Sequence, residues 1–189
     1  MSEGKLLIFS APSGSGKTTI VRRLLEEDFY LEFSVSACSR PKRGTEMDGV
    51  DYYFISVDEF KQKIKNDEFL EWQEVYKDNF YGTLKSEVDR IWAKGNNIIF
   101  DVDVLGGLNI KKAYPEKSLA IFVMPPSIAH LEERLKLRQT ETSESLQKRL
   151  EKANYEITFA DKFDEIIVND DLETAVDEAR QMVRTFLNS

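Results

Sequence analysis

The chain has 189 residues, of which 41% are hydrophobic, and its formal net charge at pH 7 is −8. This length suffices for one unit with a real core, and the acidic balance argues against a surface that coats nucleic acid. It has no apolar run long enough for a membrane span or a signal peptide, and its single cysteine and single histidine exclude a disulfide framework and a zinc site. We therefore expect a cytoplasmic domain with no membrane or nucleic-acid partner, and leave monomer and homodimer open.

The first strand pattern, at residues 6–9, runs directly into a segment rich in glycine and serine. After this segment, apolar residues recur at helical spacing through residues 20–25. A strand, a glycine-rich turn, Lys-Thr and a helix form the context of a phosphate-binding P-loop. We therefore predict a nucleotide-binding loop made of Ala11, Pro12, Ser13, Gly14, Ser15, Gly16, Lys17 and Thr18.

Each part of this loop has a chemical role. Gly14 and Gly16 let the backbone curl into a nest of N–H groups for an anion, and the helix N-terminus adds the positive end of its dipole. Lys17 can reach terminal phosphates, and the Thr18 hydroxyl can ligate Mg²⁺. Ala11 stands where glycine is usual, so we expect it at negative φ. The alternative is an ordinary loop of small residues, and the motif alone does not say which reaction follows.

Residues 34–83 break the alternation of strands and helices. In order they predict a strand, a basic turn at residues 40–44, an aromatic strand at residues 51–56, a short helix and a strand at residues 69–75. Ser56 and Glu59 have the spacing of a capping box, with Val57, Phe60 and Ile64 on the inward face of the helix. We predict a small mixed β insertion beside the main sheet.

The rest of the chain alternates short apolar runs with amphipathic segments. Strand patterns lie at residues 33–35, 98–100, 119–123 and 166–168, and helical patterns at residues 84–92, 128–135, 146–157 and 175–183. Continuous apolar strands between helices indicate a parallel sheet covered on both faces. The polar stretch at residues 138–145 has no apolar face and predicts a lid. The predicted fold is α/β, with a P-loop NTPase-type core at residues 1–33 and 84–189, an insertion at about 34–83 and a lid at about 138–150.

A group of arginines flanks the two irregular regions. An arginine on a surface is usually only solvated, and for any one of them this interpretation is as good as a functional one. As a group the arginines indicate a functional role, because the planar guanidinium suits bidentate phosphate binding and phosphoryl transfer brings several negative charges together. One set can hold an acceptor phosphate while the other closes over the transferring group. The group consists of Arg40 and Arg43 in the insertion, and Arg134, Arg138 and Arg149 around the predicted lid.

A nucleoside monophosphate acceptor would need no general base. Its second phosphate pKa is about 6, so the attacking oxygen is already ionised at neutral pH. Catalysis then depends on alignment, charge neutralisation and exclusion of water. The single histidine, His130, falls in a helical segment, and we expect it on the helix surface.

A series of motifs, in order along the chain, resembles the guanylate kinase family. They extend from about residue 5 to residue 186, and as an ordered set they are far more specific than the P-loop alone. The resemblance implies transfer of a phosphoryl group from ATP to GMP, and to dGMP, with Mg²⁺, in purine nucleotide metabolism and GMP recycling. It also implies that the insertion binds GMP. The motifs lie at residues 34–44, 49–54, 68–72, 80–83, 101–103, 138–142, 149–150 and 168–171.

The resemblance also implies roles for individual residues. The loop at residues 11–18 would bind ATP, and Thr18 would ligate the metal. The catalytic residues would be Lys17, Arg40, Arg138 and Arg149, the last two acting from the lid. The groups that would bind GMP are Arg40, Arg43, Tyr52 and Tyr81 for its phosphate, and Ser36, Glu71, Thr83 and Asp101 for the guanine and its surroundings.

Three positions depart from the family pattern. Leu105 stands where glutamine is frequent, Gln139 where glycine is frequent, and Ala11 replaces the first P-loop glycine. None removes a charged group on which the mechanism depends. Two other functions stay open, a non-catalytic binding module and a kinase for another monophosphate. The intact Lys17-Thr18 pair and the full set of arginines argue against the first.

Several singled-out residues also have purely structural interpretations. Glu71 fits a solvent-facing strand residue, and Asp103 fits a helix N-cap. The aromatic residues of the insertion fit a small core, in which Tyr52 and Tyr81 turn their hydroxyls to phosphate. The expected packing residues are Trp72, Trp92 and a buried Cys38.

Overall fold

Strands and helices alternate through the computed structural model, which describes residues 4–137 and 143–189. A short 3₁₀ turn, Ala160–Lys162, precedes the last strand. In chain order the elements are β1 (Leu6–Ser10), α1 (Lys17–Leu25), β2 (Leu31–Phe33), β3 (Ala37–Cys38), β4 (Tyr53–Phe54), α2 (Val57–Lys65), β5 (Phe69–Tyr76), β6 (Asn79–Leu84), α3 (Lys85–Trp92), β7 (Asn97–Asp101), α4 (Val104–Ala113), β8 (Ser118–Met124), α5 (Ile128–Leu137), α6 (Ser143–Ile157), β9 (Glu165–Val168) and α7 (Leu172–Asn188).

The larger sheet has five parallel strands in the order β2-β7-β1-β8-β9. Its central strand, β1, is buried along its whole length. Because side chains alternate across a strand, Leu7 and Phe9 pack with α1 and α7, while Leu6 and Ile8 pack on the other face with α3 and α4. The predicted parallel sheet with helices on both faces is confirmed.

The core differs from the sequence prediction in two elements. β2 ends at Phe33, whereas the predicted strand starts there. The sequence does not predict α4, because Gly106 and Gly107 lower its helix propensity. Both glycines permit close approach, since a Cβ at Gly107 would lie 2.4 Å from Ser10 Oγ and one at Gly106 would lie 2.8 Å from Glu71 Oε2. The N-terminus of α4 therefore sits tightly between the two sheets.

The insertion forms a separate four-stranded sheet in the order β4-β3-β6-β5. The β3–β4 pair is parallel and the other pairs are antiparallel, so the sheet is mixed, as predicted. Helix α2 packs on it through Phe60, whose ring centroid lies 4.2 Å from that of Phe69 and 5.3 Å from that of Phe80. The Ser56 hydroxyl caps this helix by accepting a hydrogen bond of 3.1 Å from the Glu59 N–H.

The strands of the insertion are where the prediction fails most. Within the predicted strand at residues 51–56, Tyr53–Phe54 form β4 and Tyr52 forms only an isolated bridge with Asp48. β6, which follows a turn with Asp78 at φ 61°, is not predicted at all. The expectation that Trp72 packs is met only in part. The alternation of β5 that buries Glu71 turns Trp72 outward, where it is 42% exposed, although its ring centroid lies 6.3 Å from that of Phe80. Trp92 is partly buried against the core, as predicted.

The predicted lid falls at the junction of α5 and α6. Arg138 and Gln139 lie outside the described residues. Residues 143–150 form the first turns of α6, where Leu146 and Leu150 pack against α5. That this segment closes over a substrate stays a prediction, as do the boundaries of insertion and core.

Three further observations concern single features. Cys38 is buried in β3, as predicted. His130 is exposed on α5, as predicted. No helix within the described ranges combines the length and hydrophobicity that a membrane span requires.

Candidate active site

The loop between β1 and α1 has the backbone geometry of an anion nest. Gly14 and Gly16 have φ values of 97° and 89°, a region that side chains rarely adopt, and α1 begins directly after Gly16. The Asn169 amide, at the end of β9, donates a hydrogen bond of 2.6 Å to the Ser15 carbonyl. It leaves no space for a Cβ at Gly16, which would lie 2.2 Å from Asn169 Nδ2. Ala11 has no positive φ, as predicted.

Asp101 binds the side chains of Lys17 and Thr18, the two residues of this loop predicted to contact phosphate and metal. It ends β7 beside β1, at the sheet edge where parallel α/β sheets bind ligands. Its carboxylate forms an ion pair with Lys17 Nζ and accepts a hydrogen bond of 2.7 Å from Thr18 Oγ1. Lys17 Nζ also donates to the Val102 carbonyl at 3.0 Å. The predicted phosphate-binding and metal-binding groups therefore lie together around one anion.

A cleft of about 490 Å³ opens between the P-loop and the smaller sheet. The main sheet, the insertion and α6 all contribute to its walls. Three predicted residues are absent from its lining, Arg40, Arg43 and Thr83, and Arg138 is outside the described residues. The predicted residues that do line it are the whole loop at residues 11–18, Ser36, Tyr52, Glu71, Tyr81, Asp101 and Arg149.

Arg40 lies behind the cleft wall rather than in it. It is only 7% exposed, and its guanidinium carbon lies 5.1 Å from the ring centroid of Tyr52. Its Nε donates to the Tyr81 hydroxyl at 3.0 Å, and its Nη1 and Nη2 donate to the two Glu46 carboxylate oxygens at 2.7 and 2.6 Å. This bidentate pair lowers the pKa of Glu46 to about 2. Arg40 therefore reaches the cleft through Tyr81.

The other arginines have different surroundings. Arg43 is exposed, and its backbone N–H donates to Glu46 Oε2 at 2.8 Å. Arg134 donates to the Asn169 carbonyl at 3.0 Å, so it supports the residue that holds the P-loop. Arg149, on α6, lines the cleft.

Glu71 is a buried carboxylate in the cleft lining. It is 8% exposed, so its interpretation as a solvent-facing strand residue is wrong. Thr83, on the paired strand β6, donates its hydroxyl to Glu71 Oε1 at 2.8 Å, which places Thr83 behind Glu71. Burial raises the pKa of Glu71 to about 7. A ligand with two adjacent N–H donors would favour the charged form, because it would replace the hydrogen bonds that burial removes.

Asp103 caps α4 and also contacts the insertion. Its Oδ1 accepts a hydrogen bond of 2.7 Å from the Gly106 N–H, which confirms its role as N-cap. The same oxygen accepts a hydrogen bond of 2.9 Å from Gln73 Nε2 on β5. Because Asp103 and Gln73 both line the cleft, this bond joins the two sheets at its edge.

The family model described as Guanylate kinase matches residues 3–186 of this chain. The chain belongs to the guanylate kinase family. A curated guanylate kinase of Bacteroides fragilis is 55% identical over 185 residues, which cover 98% of this chain and 91% of that protein. One of Porphyromonas gingivalis is 50% identical over 184 residues, 97% of this chain and 98% of that protein. The crystal structure of guanylate kinase from Anaplasma phagocytophilum has a TM-score of 0.78 at 32% identity, covering 97% of this chain and 86% of that one.

The sequence prediction misses two residues on the α6 wall of this guanylate kinase cleft, Lys152 and Glu156. With Arg149 they have the spacing of one helix face, which is the signal that could have revealed them. Lys152 Nζ lies 3.6 Å from Glu156 Oε1. Glu156 is 7% exposed, and burial raises its pKa.

Three more residues, to which the sequence prediction gives no role, hold parts of the site together. Gln73 binds Asp103, and Glu46 binds Arg40. Asn169 binds Ser15 across 154 positions of sequence, a separation at which no local pattern reports a contact.

Proposed function

We propose that this chain transfers the γ-phosphoryl group of ATP to GMP, giving ADP and GDP. The observation that carries the proposal is the buried Glu71 carboxylate, which lines the same cleft as the P-loop residues Lys17 and Thr18. One part of the cleft suits a nucleobase with paired donors, and another suits a chain of phosphates.

The base side of the cleft suits guanine. Guanine presents a ring N–H and an exocyclic amine side by side, and a carboxylate accepts from both at once. Adenine has an acceptor at the ring position, so its lone pair would face the Glu71 charge. A site built for paired hydrogen bonds can reject such an analogue by roughly 10⁴-fold, because buried polar groups are left unpaired. Thr83 keeps Glu71 Oε1 in place for this contact.

The acceptor phosphate would lie near Tyr81. The Tyr81 oxygen accepts from Arg40, so its own proton is available for a phosphate oxygen. Tyr52 lies beside Tyr81, with ring centroids 6.0 Å apart. Arg43 is also nearby, because its backbone N–H donates to Glu46, the carboxylate that binds the Arg40 guanidinium. This cluster brings positive charge to the insertion of an otherwise acidic chain.

The phosphates of ATP would occupy the P-loop. Lys17 would exchange its ion pair with Asp101 for the terminal phosphate oxygens, and Arg149 would approach from α6. An ionised oxygen of the GMP phosphate attacks the γ-phosphorus, and the bond between that phosphorus and the bridging oxygen breaks, so that ADP leaves. No side chain has to remove a proton, since the attacking oxygen is already ionised.

We include Mg²⁺ in the proposal as the cofactor of this reaction. Within the described residues no group of three or more His, Cys, Asp and Glu side chains could hold a metal. This fits Mg²⁺, which binds through one or two protein oxygens, substrate phosphates and water. Thr18 Oγ1, beside Asp101, is the hydroxyl that would hold it. When bound, Mg²⁺ neutralises charge on the phosphates.

We extend the proposal to dGMP, to the cytoplasm and to the recycling of GMP in purine nucleotide metabolism. Support for dGMP comes from the residues assigned to the acceptor, which address its base and its phosphate and not its 2′-hydroxyl.

The test is an ADP-release assay with ATP, Mg²⁺ and a panel of nucleoside monophosphates. We expect high turnover with GMP, slower turnover with dGMP, and almost none with AMP, CMP or UMP. Equal or greater turnover with another monophosphate would assign a different substrate. Binding of GMP in calorimetry without ADP release would identify a binding module instead of a kinase.

A further inference from the structure

Gln73 connects the smaller sheet to the main one through its side chain. It lies in the middle of β5, and its Nε2 donates to Asp103 Oδ1 at 2.9 Å across 30 positions of sequence. Asp103 is the N-cap of α4 and lies two residues after the end of β7. A hydrogen bond from a neutral amide to a carboxylate is stronger than one between two neutral groups.

The position of Gln73 relates it to the base-binding carboxylate. Glu71 and Gln73 are two residues apart on one strand, so their side chains lie on the same face of β5. Both line the cleft. Asp103 Oδ1 accepts from the Gly106 N–H as well as from Gln73. Gly106 also lies against Glu71, since a Cβ added to it would lie 2.8 Å from Glu71 Oε2. The same turn of α4 therefore contacts Glu71 and, through Asp103, Gln73.

A second link between the sheets lies where the chain itself crosses between them. There Glu87 of α3 accepts from the Val35 N–H at 2.9 Å and from the Tyr53 hydroxyl at 3.0 Å. At that junction β6 continues directly into α3, so the backbone already holds the two parts together. At the cleft edge no covalent connection does this, since Gln73 lies within its strand and Asp103 follows a separate one.

We propose that Gln73 is a positioning residue for the acceptor nucleotide, which holds the Glu71 segment of β5 against the N-terminus of α4. The inference rests on the proposed function, in which Glu71 binds the guanine of GMP. Without the Gln73 amide, β5 can move away from α4, and the carboxylate that reads the base loses its fixed distance from the P-loop. We expect a larger effect on GMP than on ATP, because the loop at residues 11–18 is held by Asn169 and Asp101. Asp103 contacts the end of β1 through its backbone carbonyl, which accepts from Ser10 Oγ at 3.0 Å, and not through the carboxylate that binds Gln73.

The test compares Gln73→Ala and Gln73→Glu with the wild-type chain and with Gln62→Ala. Gln62 is a matched control, since it lies in the insertion, on α2, and donates its amide at 3.0 Å to Oδ1 of Asn66, the C-cap of this helix, away from the cleft. Calorimetry gives the GMP dissociation constant, and steady-state kinetics give KM for ATP. We expect Gln73→Ala to raise the GMP dissociation constant roughly ten- to 150-fold, the scale of one hydrogen bond to a charged group. KM for ATP should stay within about twofold of wild type, the range of an uncoupled site.

The Gln73→Glu variant sharpens the test and covers a poorly folded alanine variant. It keeps the length of the side chain but places a carboxylate against Asp103, so like charges repel and GMP should bind more weakly than to Gln73→Ala. Gln62→Ala should bind GMP as the wild type does.

Thermal unfolding separates positioning from a merely structural role. A lowered melting temperature in Gln73→Ala with an unchanged GMP dissociation constant would overturn the inference, as would a Gln73→Glu variant that binds GMP as well as the wild type. If the wild-type chain itself neither binds GMP nor releases ADP, the proposed function fails first. If the wild type is active and the Gln73 variants match it, only this inference fails.

Discussion

The two sides of the cleft are built by different means. The P-loop side lies at the end of β1, a strand buried along its full length, and its shape comes from backbone with glycines at positive φ. The other side, which we propose binds GMP and call the GMP side, lies on a sheet with two strands of only two residues each. Its shape comes from side-chain pairs such as Arg40 with Glu46 and Glu71 with Thr83.

The electrostatics of the two sides differ in the same way. On the P-loop side, Lys17 is already paired with Asp101, so an arriving phosphate exchanges one anion for another. On the GMP side, burial raises the pKa of Glu71 to about 7, and among the described residues no cation lowers it, so in the proposed complex the base would supply the stabilising contacts. The P-loop side therefore binds its ligand by exchanging a charge pair, and the GMP side by compensating a desolvated carboxylate. Substitutions on one side should leave binding at the other side nearly unchanged.

The largest effect is expected on the P-loop side, at Lys17. Lys17→Met should lower kcat by several orders of magnitude, because single contacts to developing charge are worth about 10²–10³-fold and Lys17 carries a full charge. The control is Lys136→Met, since Lys136 pairs with Glu132 on α5 at 2.6 Å outside the cleft. Circular dichroism should show an intact fold in both. Activity of Lys17→Met within tenfold of wild type would refute the role of this lysine.

The second effect is expected on the GMP side. Glu71→Ala should lower kcat/KM for GMP by at least about 10²-fold, the scale of a lost charged hydrogen-bond pair, with KM for ATP nearly unchanged. The control is Glu74→Ala, because Glu74 is exposed on the opposite face of β5. Kinetics with GMP and AMP decide the matter. A variant that keeps the wild-type preference for GMP shows that Glu71 does not read the base.

The third effect concerns stability without ligand and its dependence on pH. Burial raises the pKa of Glu71 from 4.5 to about 7, so between these values the folded protein binds more protons than the unfolded chain. Stability from this group therefore falls as pH rises through that window. Glu71→Gln removes the buried charge, and we expect it to raise the free energy of unfolding by about 2–3 kcal/mol at pH 8 but by less than about 1 kcal/mol at pH 5.

Urea unfolding at both pH values measures this difference, with Glu74→Gln as the control that should show no such change. A Glu71→Gln effect of equal size at pH 5 and pH 8 would rule out the titration of Glu71 as its cause.

The smallest effect is expected at Ala11, on the P-loop side. Ala11 has no positive φ, so Ala11→Gly should change KM for ATP by less than about twofold and lower stability only through greater freedom of the unfolded chain, by about 0.4–1 kcal/mol. By contrast, Gly16→Ala should abolish ATP binding. The added Cβ would lie 2.2 Å from Asn169 Nδ2, and Gly16 has a φ of 89°, which side chains rarely adopt. A large gain of activity in Ala11→Gly would show that the departure from the motif is costly.

The sequence predicts the P-loop side well because its determinants are local. A buried strand, glycines, Lys17 and Thr18 follow one another within a short stretch, and each residue acts through its neighbours. Most of the parallel sheet is predicted for the same reason, since β1, β7, β8 and β9 contain apolar runs, whereas β2, with Glu32 at its centre, is misplaced.

The GMP side is predicted only in part because its contacts are distant in sequence. The family motifs point to Glu71, but its burial depends on pairing with β6, and the sequence does not predict that strand. The outward face of Trp72 follows from the same register. The Gln73 amide and α4 are missed because their partners lie on another sheet, where close approach selects glycine over good helix formers.

The contact between Asn169 and the P-loop has a consequence for the folding of a growing chain. Ser15 is made early and Asn169 is made 154 residues later, yet the amide of Asn169 fixes the carbonyl of Ser15. Asn169 is itself anchored by its N–H to Met124 and by Arg134 to its carbonyl. The ATP loop therefore reaches its final shape only after β8, α5 and β9 have come together. We therefore expect a nascent chain to bind ATP tightly only late in its synthesis, when nearly the whole domain is in place.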